Sequence, residues 1–135
     1  VRPQQGRGSG EPVVLTDVRV TRHRNDDRIV LEFSGTGTPG WNVEYVDEAL
    51  LEGSGETVDL EGTSTLQVSA SNTTWPASDY YSGPTRLCGT DAIPAVHVAG
   101  TFEGYTQVLA GLDGVRPFRV HSLTRPARLV IDIGD

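Results

Sequence analysis

FRVHSLTRPARLVIDI (118–133) repeats VRVTRHRNDDRIVLEF (18–33) a hundred residues later, in register and without a gap. Arg19/Arg119, Val20/Val120, Arg28/Arg128 and Val30/Val130 are identical. Ile29/Leu129, Leu31/Ile131, Glu32/Asp132 and Phe33/Ile133 keep their type. Each copy reads as strand, polar turn, strand. In RIVLEF, Ile29, Leu31 and Phe33 share one face and Arg28, Val30 and Glu32 the other. RLVIDI repeats the split, with Leu129, Ile131 and Ile133 against Arg128, Val130 and Asp132. The connectors differ, NDD in one copy and TRPA in the other, as turns can. A hairpin with a single apolar face is not stable alone and must lay that face on something equivalent. Two such units facing each other predict a pseudo-symmetric sandwich of two sheets.

The rest of the chain has the same character. VVLTDVRV, WNVEYV, ETVDL, TLQVSA, AVHVAGTF and YTQVLAGL are short, rich in Val, Leu, Thr and aromatics, and separated by turn residues. No segment keeps apolar residues at helical spacing, and SGTGTPG (34–40) and EGSGE (52–56) break what continuity there is. The expected fold is all-β, a two-sheet antiparallel β-sandwich of about nine strands. Residues 1–12, VRPQQGRGSGEP, lack apolar periodicity and read as a flexible linker to an anchor or partner domain, or as a cloning remnant. Residues 13–135 form the folded domain. Residues 71–92 hold few alternating positions but three aromatics, Trp75, Tyr80 and Tyr81, which marks a long functional loop rather than plain disorder.

Composition narrows the function. The net charge is −7, which argues against nucleic acid or an anionic membrane surface as a partner. All eleven positive charges are arginines, as a GC-rich coding sequence would give, and arginine also pairs best with carboxylates. The chain has no methionine and begins at Val1, as a processed or trimmed chain would. A lone cysteine, Cys88, excludes an internal disulfide and is expected as a small buried hydrophobe, with an intermolecular bridge as the alternative.

No catalytic pattern stands out. His23, His97 and His121 are scattered, without an HExxH pattern or a cysteine cluster, and read as satisfied surface histidines. Asp26 and Asp27 fall in the expected hairpin turn, as ordinary turn residues or, alternatively, as calcium ligands. Asp47 and Glu48 are adjacent on a strand-like stretch and should point to opposite faces. There is no GxSxG elbow and no glycine-rich loop entering a helix. The expectation is a non-enzyme without metal or cofactor. Candidate ligand-binding residues are Trp41, Trp75, Tyr80, Tyr81 and Arg86, whose rings can stack on sugars and whose guanidinium can pair with carboxylates.

The closing PFRVHSLTRPARLVIDIGD and the early DRIVLEFSG resemble the AMIN domain, the amidase N-terminal module of bacterial cell-wall proteins. The similarity is greater to AMIN-like domains of secreted lipoproteins in high-GC bacteria. GTPGWNVEYVDE, YSGPTR (81–86) and AVHVAGTFEGYTQVLAGLDGVRPFRV carry it further, over roughly residues 13 to 134. The resemblance implies a β-sandwich of two similar sheets and a non-catalytic module in the cell envelope. That module would bind peptidoglycan or another wall component, through cell-wall glycan or peptide. The alternative is a protein–protein interaction domain recruiting an envelope partner through the 71–92 loop or a strand edge. An extracytoplasmic location follows from the resemblance, with any membrane attachment running through a lipid anchor upstream.

Overall fold

The computed structural model describes residues 2–134, with His23 described by its backbone alone. Ten strands follow one another: β1 Gln4–Gly6, β2 Val14–His23, β3 Asp26–Ser34, β4 Gly40–Val46, β5 Ser64–Ser71, β6 Arg86–Cys88, β7 Ala95–Phe102, β8 Tyr105–Leu112, β9 Phe118–Leu123 and β10 Ala127–Ile133. They form a six-stranded sheet in the order β1-β4-β5-β8-β7-β6 and a four-stranded sheet in the order β2-β3-β10-β9. Every pairing within both sheets is antiparallel. The all-β sandwich expected from the alternating strands is the fold.

The two echoed hairpins do not face each other across the sandwich. They lie side by side in the four-stranded sheet, joined through β3 and β10. Val30 sits opposite Val130, Arg28 opposite Asp132 and Glu32 opposite Arg128, so a pseudo-twofold axis passes between the two valines. Edge-to-edge joining removes two of four strand edges, which facing hairpins would have left exposed. Both apolar faces then lie on the same partner, the six-stranded sheet. Fully buried Ile29, Leu31, Phe33, Leu129, Ile131 and Ile133 meet a surface that includes Leu66, Val68, Val108, Ala110 and Leu112.

The copies also differ in cross-strand register. Arg19 pairs with Val30, but Arg119 pairs with Asp132, two positions further on. A slip of one would turn every side chain to the wrong face, whereas a slip of two preserves the faces. For the same reason the first turn is shorter than NDD. Strand β3 already begins at Asp26, so Asp26 and Asp27 belong to the sheet. Asp27 is 4% exposed and accepts a hydrogen bond from the Thr90 hydroxyl, with Arg22 Nη1 3.6 Å away. It ties the end of one sheet to the loop before β7 in the other.

Three further expectations change. Within the segment read as a linker, Gln4–Gly6 forms β1 on β4, and a Cβ at Gly6 would overlap the Trp41 ring. The Gln4 amide then reaches the other sheet: Nε2 donates to the Phe118 carbonyl (2.6 Å) and Oε1 accepts from the Val120 N–H (3.0 Å). It acts as one peptide unit of a missing neighbour to β9. ETVDL is not a strand. It lies in the 47–63 connection, which folds over the outer face of β8 and keeps one bridge, Leu50 to Thr57. Gln107 holds that connection down: Nε2 donates to the Leu50 carbonyl (2.8 Å) and Oε1 accepts from the Glu52 N–H (3.0 Å). Cys88 is exposed rather than buried, because β6 is a three-residue edge strand.

Candidate functional site

The β7–β8 hairpin closes through Glu103 and Gly104, both at positive φ (49° and 85°), the two-residue geometry whose twist matches its strands. The turn sets Phe102 directly opposite Tyr105. Both rings project from the tip half exposed, 51% and 50%. Trp75 joins them from the long loop and is the most exposed of the three aromatics, at 58%. Phe102 stands between two grooves. One, of about 440 Å³, runs between Trp75, Thr74 and Glu103. The other, of about 230 Å³, runs between Tyr105, Glu52 and Ser54.

Interior hydrogen bonds fix this end of the sandwich. Tyr80 stands edge-on to Trp75, with ring centroids 6.1 Å apart at 70°, and its hydroxyl accepts from the Thr101 N–H (3.0 Å). A bulge between Val98 and Gly100, with Gly100 at φ 94°, brings β7 past that hydroxyl. The hydroxyls of Thr101, Thr106 and Thr73 form a chain at 2.7 and 3.0 Å that ends on the Gly104 carbonyl (3.1 Å). Loop, hairpin tip and β8 are thereby locked together. Exposed rings on a locked base lose little freedom when they bind.

The five residues singled out from the sequence do not converge. Trp75 and Tyr80 meet as described. Tyr81 is committed elsewhere: its N–H bonds to the Leu15 carbonyl (2.8 Å) and its hydroxyl donates to the Pro84 carbonyl (2.6 Å). Burial first, and then the charge of Asp17, push the Tyr81 phenol up from its ordinary pKa. Trp41 lies over Gly6 and packs against the core from β4, two strands away from the tip. Arg86 is exposed on β6, where its Nη2 donates to the Asp59 carbonyl (2.6 Å). Phe102 and Tyr105 were missed. Their signal was FEGY itself, a two-residue hairpin turn between aromatics at the ends of alternating strands.

One histidine departs from the surface reading. His97 is half-buried on β7 and its Nδ1 is buried without a hydrogen-bond partner. Burial first, and then the charge of Arg86, hold its pKa below the usual histidine value, so it is neutral at pH 7. His121 Nδ1 lies 3.9 Å from Asp132, and the His23 side chain lies outside the described residues. No group of three or more His, Cys, Asp or Glu side chains among the described residues is arranged to hold a metal ion. No helix is long and apolar enough to cross a membrane among those residues.

Residues 13–135 match the AMIN-like domain family. The chain belongs to the AMIN-like family. Neither the curated proteins nor the solved structures give a match. Membership associates this AMIN-like domain with the cell envelope as a binding module. Domains of the family are generally extracytoplasmic.

Proposed function

We infer that this AMIN-like domain is a non-catalytic module that binds a component of the bacterial cell wall, with peptidoglycan as the leading target. The observation that carries the reading is the exposed aromatic tip, Trp75, Phe102 and Tyr105, on a family scaffold tied to the envelope. Isolated exposed apolar residues are ordinary, but three large rings gathered around two grooves mark an interaction surface. The domain acts by retention: it holds whatever it is joined to against the wall.

Co-sedimentation with purified peptidoglycan tests the reading. The protein should pellet with the wall and be displaced by soluble muropeptides. Absence of retention across salt and pH overturns it and leaves recruitment of a protein partner as the better account. Release of soluble fragments from the wall during the same incubation would show a hydrolase instead.

A further inference from the structure

The two grooves share Thr101 and Phe102, so they adjoin on either side of Phe102 as one strip. The strip offers flat apolar rings along its length, from Trp75 over Phe102 to Tyr105. Its charged lining residues are Glu52 and Glu103, and no arginine or histidine is among the described residues that line it. The chain from Glu44 to Glu61, which borders the strip at 51–54, carries seven carboxylates and no arginine. Such a surface repels anionic polymers, including acidic peptide stems and phosphodiester chains. It suits hydroxyl-bearing rings without charge, whose C–H faces lie on aromatic faces and whose hydroxyls donate to carboxylates.

We propose that this strip is a binding site for an uncharged oligosaccharide, with successive sugar rings seated on either side of Phe102. Trp75 walls the first subsite and Tyr105 the second, while Glu103 and Glu52 accept sugar hydroxyls at their rims. Tyr80 and Gln107 are positioning residues: one braces Trp75, and the other holds the 50–52 backbone beside Tyr105. The proposal deepens the wall-binding reading and rests on it for placing a glycan within reach. It assigns the contact to sugar rather than to peptide carboxylates, and it leaves Arg86 and Tyr81 outside the site.

The test uses the whole chain with two neutral probes, the β-1,4-linked tetramer of N-acetylglucosamine and cellotetraose, and one acidic probe, polygalacturonate. Tryptophan fluorescence and titration calorimetry are the readouts. At least one neutral tetramer should bind, shift the emission and show little salt dependence, while polygalacturonate does not bind. Trp75→Ala, Phe102→Ala and Tyr105→Ala should each weaken binding about tenfold, as central aromatic anchors do. Trp41→Phe should keep the emission change, which assigns the signal to Trp75. Unchanged thermal melts of the three alanine variants show that they are folded, as expected for half-exposed rings.

Binding of neither neutral tetramer overturns the proposal, as does binding that the alanine variants leave intact or a preference for polygalacturonate. Retention on whole peptidoglycan separates the two levels. If wild type and Trp75→Ala are retained equally, the wall-binding reading stands and this site fails. If wild type is not retained, the wall-binding reading itself fails.

Discussion

Arg28 and Asp132 join the two echoed hairpins across their seam, with Nε to Oδ1 at 2.7 Å and Nη2 to Oδ2 at 3.2 Å. The pseudo-symmetric counterpart, Glu32 opposite Arg128, makes no such pair. Glu32 instead receives Arg19 Nη1 at 3.3 Å, alongside Asp17, while Arg128 Nε donates to the Pro126 carbonyl. The fork of one arginine therefore holds a seam that symmetry would have given two. Asp132 is only 6% exposed, so truncating Arg28 strands a desolvated carboxylate. Arg28→Ala should cost about 2 kcal/mol, in the range of hydrogen bonds to charged groups. Arg28→Met combined with Asp132→Leu should recover most of it. Urea melts of the singles and the double would check this, and additive losses would show that the pair is not coupled.

Acid should act on the domain in two stages. The Arg28 hydrogen bond holds the Asp132 carboxyl below its ordinary 3.8, against opposing burial. A depressed carboxylate adds stability above its unfolded value, and that stability is lost as pH falls through the folded one. His97 is depressed below 6.5, mainly by burial, so the folded state takes up its proton less readily than the unfolded chain. Stability should therefore be full above pH 6.5 and decline as pH drops below it. Urea midpoints should hold from pH 7.5 to 6.5, fall gently towards pH 5 and fall steeply below pH 4. His97→Gln should flatten the first limb and Asp132→Asn the second.

Gln4 stabilises β9 from outside its sheet, through two bonds made by one amide. Gln4→Ala should cost roughly 1–2 kcal/mol, about 1 for each bond. Its sharper signature is faster hydrogen exchange at the Val120 amide with little change at β3. Equal acceleration in both strands would mean that β1 stabilises the whole domain rather than this edge.

Gly111 lies under the 47–63 connection, and a Cβ there would collide with the Glu61 carbonyl. Gly111→Ala should lift that connection and cost about 1–3 kcal/mol, the usual range for overpacking. Limited proteolysis should then cut within 52–62 well before the native protein is cut. An unaltered cleavage pattern would show that the connection can move aside.

Strand positions were legible wherever alternation was strong. RIVLEF, RLVIDI and WNVEYV are strands whose alternation marks one inward face, whereas YTQVLAGL is a strand read from its residue types, buried on both faces because the 47–63 connection covers its outer side. Pairing was not legible. The echo fixed which residues point inward but could not distinguish hairpins face to face from hairpins edge to edge, since both bury Ile29 and Leu129 equally. Strand β1 went unread because Gln-Gln-Gly has no apolar face, and its order comes from Trp41 and the β9 edge. At the site, Trp75 and Tyr80 were visible as aromatics in a long loop. Trp41 and Arg86 drew attention by residue type alone, and their tertiary partners, Gly6 and the Asp59 carbonyl, lie far off in sequence. Phe102 and Tyr105 escaped because strand-end aromatics usually point into the core.

Strand β10 lies in the middle of its sheet, between β3 and β9, although it is the last of the ten described strands in sequence. Its ladder with β3 spans about a hundred residues of chain, so loop closure weighs heavily on the folding rate. Before 127–133 are available, β2 and β3 can form only a two-stranded ribbon, and the part of the large sheet's apolar face that meets Leu129, Ile131 and Ile133 has no cover. A chain emerging N-terminus first from a ribosome or a secretion channel should therefore stay open and threadable until 127–133 have emerged, because the four-stranded sheet cannot close without its central strand.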